Sequence, residues 1–455
     1  MADQKLNDKS ITALTPRNSG YQFAFYGDSC SGIPSTLHAE KLAKINSVVR
    51  RFDPKPEFIV FPGDEIVGLT PDEAELRKQW RHFLDFEMEW LQDIQIPIYH
   101  STGNHTTYDK MSEGVFAEVM THLPKNGPAD QLGLSYFVRE GELLLVFVHT
   151  LWSGLGGEGH MELDWLKQTL EKNAEAQWKF VIGHHPAFPV NGYVGSYQRN
   201  IGDEYVTDFW RILSDHNVIA YLCSHILAFD VQCQAGVLQV TSAGAGTAHR
   251  MPEAVEYLHC VQMAVDEDGL RYQVLDEEGE VRERLTWPPQ DQMALEHLNR
   301  GYNACPLSGK QCSSLVTRLK VHGTVSATNA QQTVLAALEQ NGTCPLWIGL
   351  IGPQRQLTII MQPQTGRSPH RWLGPCFSDD ERLDLEILLN GEMGPGGFLW
   401  RASEAKEWNG FLGFSAWGTE RLVWPDHLHI GQKHQHDVDS RFQGELSVSM
   451  GTASV

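Results

Sequence analysis

Five short segments each set a side chain able to hold a cation beside a glycine or serine. They are Gly27-Asp28-Ser29-Cys30, Gly63-Asp64, Gly103-Asn104-His105, Gly183-His184-His185-Pro186 and Ser224-His225-Ile226-Leu227. Carboxylate, amide oxygen and imidazole together make a mixed oxygen–nitrogen donor set suited to Zn²⁺, Mn²⁺ or Fe. The small residue before each donor lets the backbone turn where a bulky side chain would clash.

Each segment follows a short run of strand character, the clearest being Phe58-Ile59-Val60-Phe61 before Pro62-Gly63-Asp64. A fully apolar run of this length reads as a strand covered on both faces, as in a layered α/β protein. In open α/β sheets the carboxyl ends of strands are where ligands bind. Helical spacing over 38–51 precedes that strand. Thr70 as N-cap, Pro71 and Glu73 open a helix expected to reach Leu91. Further helices are expected near Glu113–His122, around Trp165 and over Tyr205–Asp215. Strands are expected at Val237–Thr241, Leu258–Val265 and Leu270–Leu275, the last two joined by an Asp266-Glu267-Asp268-Gly269 turn. The glycine-rich stretch Ser153–Gly159 lacks the lysine and spacing of a phosphate loop and reads as a loop over the site. No Gly-x-Ser-x-Gly elbow occurs.

The pattern changes after Trp287-Pro288-Pro289. From about residue 312 short strands dominate: Leu315–Val321, Trp347–Ile351, Leu357–Gln362, Leu383–Leu389 and Phe442–Val448, punctuated by Asn390-Gly391 and Gly394–Gly397. That pattern reads as an all-β sandwich. The domain reading is an extension over 1–20, an α/β domain over 21–287, a linker over 288–311 and a β-sandwich over 312–455. Trp400, Trp408, Trp417 and Trp424 are equally core residues or exposed platforms for sugar rings. His427, His429, His434 and His436 fit alternate positions on a strand and a polar loop, with a metal site as the rarer reading.

With 41% hydrophobic and 20% charged residues, the 455-residue chain has globular composition. Its formal charge of −21 argues against nucleic acid or an anionic membrane as the main partner. An anionic substrate stays open, because a bound metal inverts the local field. No apolar run is long enough to span a bilayer, the densest being Leu143–Val148. The polar first ten residues lack a signal-peptide core, so the expectation is a cytoplasmic protein, or an extracellular one whose leader has been removed. Eight cysteines without a CxxC spacing read as reduced thiols.

The order of the five segments resembles the calcineurin-like metallophosphoesterases, including purple acid phosphatases, over roughly residues 20–285. That family reads Asp-x-His, Gly-Asp, Gly-Asn-His, Gly-His and Gly-His-x-His along the chain. The resemblance implies a four-layer αββα sandwich and metal-dependent phosphoester hydrolysis. It places one ion on Asp64, Asn104, His184 and His225. A neighbouring ion would take Asp28, Asp64 and the positions held here by Cys30 and Leu227. Leucine has no ligand atom, and Cys30 reads either as a thiolate ligand or as a small buried apolar side chain. Asp28 reads as a ligand, a general base or a helix cap, and His105 as the acid that protonates the leaving group. The expectation is one tightly bound transition metal (Zn, Mn or Fe), an empty or weak second position, and a phosphorylated small-molecule or glycan substrate. Asp384–Gly391, Trp424–Gly431 and Arg441–Gly444 resemble laminin-G or concanavalin-type lectin modules, which implies a C-terminal jelly-roll that binds carbohydrate. The rival expectation is a catalytically silent scaffold with a binding module behind it.

Overall fold

The computed structural model describes residues 9–154, 159–190, 200–246, 257–289, 293–311, 315–325, 330–362, 369–390, 397–414, 423–434, 436 and 438–454. The contacts divide the chain into two compact units, Met1–Val231 with Val237–Pro288, and Gln232–Gly236 with Pro289–Val455.

In the first unit one sheet runs in the order Val281–Trp287, Gly269–Asp276, His259–Asp266, Gly20–Phe25, Phe58–Phe61, Ile98–His100. Its last three strands are parallel, with Phe25 opposite Val60 and Phe61 opposite His100. A second sheet sets Val237–Ser242, Ala220–Cys223, Trp178–Ile182 and Leu143–Phe147 side by side, all parallel, with Tyr136–Glu140 antiparallel at the end. The sheets face each other through aromatic rings: Phe23 meets Phe180 at 5.5 Å and Tyr99 meets Phe147 at 6.1 Å. Such edge-on pairs add attraction beyond the apolar area they bury.

Helices cover the far sides. Leu37–Arg50 buries Leu42, Ile45, Val48 and Val49, and Phe83 packs on Phe61. On the other sheet, Leu166, Leu170, Phe209 and Leu213 from the helices Leu163–Lys172 and Asp203–Asp215 join Leu144, Val146 and Val181 in one core. Two facing sheets with helices packed on them make the first unit α/β, as expected.

The helix expected from Thr70 to Leu91 is instead three pieces. Asp72, not Thr70, is the N-cap: its carboxylate accepts from Ala74 and Glu75 N–H groups, and the helix is Glu73–His82. A π-helical turn, Phe83–Glu87, follows, and then Trp90–Ile94. The wide turn delivers Glu87 to the backbone behind Cys30, where it accepts from Ser31 Oγ (2.8 Å) and Gly32 N (3.0 Å). π-turns concentrate at functional sites because they re-aim side chains that α-geometry would misplace.

The named strands of the second unit pair antiparallel with one another. Asn409–Phe414, Gly397–Ala402, Arg382–Asn390, Leu315–Thr324, Leu446–Ser454 and Glu296–Leu298 form one run, and Gly301–Ala304, His427–Ile430, Gln331–Leu338, Leu346–Ile351, Gln356–Met361 and His370–Leu373 the other. Both contribute to one apolar core, Leu319, Val321 and Ile387 from the first and Leu335, Ile348 and Ile359 from the second. Within the 288–311 stretch, placed in a linker by sequence, Glu296–Leu298 and Gly301–Ala304 pair as strands of this unit. The last strand begins at Leu446 rather than Phe442, because Phe442 ends a turn bonded to Gly431. Trp408 and Trp424 are core residues, 3% and 1% exposed, which removes them as sugar platforms. Trp400 packs partly buried against the same core, and Trp417 lies outside the described residues.

Glu386 sits on that first run at 2% exposure, bridged to Arg318, Lys320 and Arg401. Burial pushes its carboxyl up, but the three cations outweigh burial and hold it at about 2. A depressed folded pKa contributes stability that is complete above the ordinary glutamate value and is lost as pH falls toward 2. Allowing for solvent screening, about 1–2 kcal/mol should disappear across that window. Thermal unfolding from pH 6 to pH 2.5 should show the second unit losing this increment, and Glu386→Gln should be less stable at pH 6 with a flatter acid dependence. An unchanged acid profile in the variant would count against the linkage.

Candidate metal centre

The five segments converge at the carboxyl ends of strands from both sheets of the first unit. Gly20–Phe25, Phe58–Phe61 and Ile98–His100 lead into Asp28, Asp64 and Asn104, while Trp178–Ile182 and Ala220–Cys223 lead into His184 and His225. Pro62 joins the two sets. Its carbonyl accepts from His184 Nδ1 (2.9 Å) and from Ser224 Oγ (3.0 Å). Asp28 N donates to Gly63 O, and His225 N donates to Asp28 Oδ2 at 3.0 Å.

Four of these residues adopt left-handed backbone: Asp28 (φ 59), Cys30 (φ 43), Asp64 (φ 56) and His225 (φ 67). Such φ values are strained for non-glycine residues and persist where the surroundings over-determine them, commonly at active sites. Gly63, at φ 104, faces His184 so closely that a methyl carbon there would lie 2.8 Å from Nδ1.

His184 Nε2 is the hub. Asn104 Oδ1 lies 3.0 Å from it, Asp64 Oδ2 3.2 Å and His225 Nδ1 3.2 Å. Nδ1 donates to Pro62, so Nε2 is the atom that faces this group, as an N–H when the ring is protonated and as a ligand lone pair once a cation displaces that proton. Ions with ligand bonds of about 2.0–2.2 Å set neighbouring donors about 3.0–3.5 Å apart, the separation of each of these atoms from His184 Nε2, and Asp28, Asp64 and His184 place ligand atoms within 4.8 Å of one another. The residues present fit a cation.

Burial pushes the Asp64 carboxyl up, but His184, His105 and His225 outweigh it and hold the group well below the usual carboxylate range. Burial works against a charged His184, yet Asp64 and Asp28 raise it to about 9. Asp28 is pushed up to about 6, by burial first and by Asp64, against the pull of His184. Two carboxylates this close resist joint ionisation until a cation neutralises them.

Around the second position, Cys30, Asp64 and His105 place ligand atoms within 4.8 Å of one another, as do Asp28, Asp64 and His184. Cys30 is 3% exposed and turned toward the acid cluster. His105 N donates to Asp64 Oδ1 (2.9 Å), and its Nδ1 donates to Val67 O (2.7 Å), which fixes the ring. Leu227, half-buried, supplies no donor.

Two features were invisible to residue spacing. His185 joins His184 and His225 in a third group of ligand atoms within 4.8 Å. Neighbouring residues of an extended chain point to opposite sides, so a second histidine carries no signal until the turn after Ile182 is seen. Beneath Asp64, Glu65 and His100 are fully buried and bonded at 2.9 Å. Burial drives Glu65 well above its ordinary value and His100 down to about 3, so the pair is neutral and links the Asp64 and Asn104 strands without adding charge.

Residues 21–229 match the family model for calcineurin-like phosphoesterases. Among solved structures, the chain is similar to a purple acid phosphatase from yellow lupin (Lupinus luteus) seeds, with 14% identity, 60% of this chain and 54% of that one covered, and a TM-score of 0.45. It thus spans about half of the lupin protein. It is also similar to GAP50, the anchor in the inner membrane complex of Plasmodium, at 16% identity, coverage of 59% and 88%, and a TM-score of 0.42. A dimetal phosphatase from Danio rerio matches at 13% identity, with coverage of 56% and 95% and a TM-score of 0.38. No curated protein matched the sequence.

Proposed function

We propose that the first unit is a metal-dependent phosphoester hydrolase working with one tightly held ion. The observation that carries this reading is the gathering of Asp64, Asn104 and His225 around His184 Nε2 at 3.0–3.2 Å. The match of residues 21–229 to calcineurin-like phosphoesterases supports it. A bound transition metal (Zn, Mn or Fe) supplies Lewis acidity, which lowers the pKa of water and polarises a phosphoryl oxygen.

The chain's own residues supply proton handling and orientation. Asp28, held at about 6 and anchored by His225 N–H, accepts the proton of the attacking water. As the new P–O bond forms and the bond to the leaving oxygen breaks, His105 delivers a proton to that oxygen and an alcohol departs. The Val67 carbonyl holds Nδ1, so the imidazole works through Nε2. Asp28, Asp64 and Cys30 remain for a weaker second ion. With Leu227 in place of a nitrogen donor, we read that position as empty or partly filled.

The same leucine favours a second reading, a catalytically silent scaffold. In either case we read the second unit as a laminin-G or concanavalin-like sandwich that binds carbohydrate. Turnover of p-nitrophenyl phosphate and its bis-ester, with added Mn²⁺ or Zn²⁺, separates the two readings. Metal-dependent hydrolysis that falls at least about 100-fold in Asn104→Ala is the expected result. No turnover on either ester would favour the scaffold, and two full metal equivalents by elemental analysis would overturn the single-ion reading.

A further inference from the structure

The proposed ligand set uses two imidazoles, yet a third lies against them. The His185 ring centroid is 4.3 Å from that of His225 and 4.9 Å from that of His184, and the His184 and His225 rings are 5.0 Å apart. His184 and His185 are both 0% exposed. Packing two fully buried hydrogen-bonding rings against a third, half-buried one is costly unless their polar atoms are used.

The orientation of His185 is fixed from behind. Its Nδ1 lies 2.7 Å from Thr150 Oγ1, and its carbonyl accepts from Tyr221 Oη at 2.6 Å. With Nδ1 engaged by the hydroxyl, a cation would meet this ring at Nε2. A carbonyl, carboxylate or water accepting from one ring N–H is the usual support for a ligating histidine. Pro62 O plays that part for His184, and the Thr150 hydroxyl fills it for His185 when it accepts from Nδ1–H.

We propose that His185 is an additional ligand of the ion, which it would hold together with His184 and His225. This rests on the metal reading above. It goes further in naming a donor and a preference: a third nitrogen shifts the site from Mn²⁺ toward Zn²⁺, Fe or Cu²⁺. It also supplies the nitrogen missing at Leu227, but to the occupied position rather than the depleted one.

The test uses the full chain, Cu²⁺ as a spectroscopic probe and Zn²⁺ for affinity. The electron paramagnetic resonance spectrum of the Cu²⁺ protein should show coupling to three imidazole nitrogens, and His185→Gln should reduce it to two. Zn²⁺ affinity should fall at least about 100-fold in His185→Gln, and about tenfold in Thr150→Val, which removes only the supporting hydroxyl. Circular dichroism confirms that both variants are folded; were His185→Gln unfolded, Thr150→Val and the wild-type spectrum would decide. Two coupled nitrogens in the wild type, or unchanged Zn²⁺ affinity in both variants, would overturn this inference and leave the metal reading standing. Failure of the wild type to bind either ion would overturn both.

Discussion

Asp64→Asn protein is expected to purify folded, without its ion, and with phosphoester turnover reduced by at least about 10³-fold. Asp64 is the carboxylate that connects the two candidate ion positions. It lies 3.2 Å from His184 Nε2, accepts the His105 backbone N–H at 2.9 Å, and belongs to two of the three groups able to hold a cation. Asparagine keeps the shape and one acceptor oxygen, so the bond to His105 N survives and the fold with it. What disappears is the negative charge that His184, His105 and His225 hold ionised far below its ordinary pKa. A 10³-fold loss corresponds to about 4 kcal/mol of transition-state stabilisation, the scale expected when a centre loses its Lewis acid. Elemental analysis with p-nitrophenyl phosphate kinetics checks it. A variant that retains a full metal equivalent and near-normal turnover would show that the ion, if present, sits elsewhere.

How far this could be read in the residues alone depends on what each feature needs. Asp64, Asn104, His184 and His225 stand out because each follows a short apolar strand and a glycine or serine, and the parallel sheets bring those ends together. The periodicity that marks strands and the small residues that mark turns are local signals, so they survive in one dimension. Geometry that depends on the turns themselves does not. Aspartate and histidine tolerate a positive φ better than most residues, but that tolerance does not mark which of them adopt it; at Asp28, Cys30, Asp64 and His225 the value is imposed by tertiary contacts. His185 carries no mark in sequence because it adjoins His184, and neighbouring residues of an extended chain point to opposite sides.

The π-turn at Phe83–Glu87 fell inside a pattern with intact helical spacing. Its cause is distant: Glu87 is drawn to Ser31 and Gly32. In the second unit, strands such as Gln331–Leu338 and Gly397–Ala402 were missed because they are buried on both sides or flanked by glycine, which erases the polar–apolar alternation. Trp408 was equally ambiguous from sequence; in the fold it is covered by Arg401, whose guanidinium lies 4.3 Å from its ring centroid.

A single methyl group added at Gly103 should empty the centre without altering any ligand. A Cβ there would lie 2.2 Å from Asp64 Oδ1, 2.6 Å from Asp64 N and 3.0 Å from Asp64 Cγ. These distances are well inside van der Waals contact, and one of the atoms is backbone, so a rotamer change alone cannot relieve the clash. The φ of Gly103 is not in the left-handed region, so alanine meets no conformational penalty of its own. The cost falls on Asp64, whose carboxylate must leave the position from which it faces His184. Overpacking of this kind costs about 1–3 kcal/mol of stability, while the lost alignment should reduce metal affinity and turnover by at least about 100-fold. Gly114→Ala is the matched control: Gly114 is exposed within the helix Lys110–Val119, has no atom within 4 Å of a built Cβ, and should gain about 0.5–1 kcal/mol with activity unchanged. Melting curves, elemental analysis and ester hydrolysis on the two alanine variants measure the contrast. If Gly103→Ala kept its ion and its rate, the close approach of the Gly103 and Asp64 turns would not be what sets the metal-binding geometry.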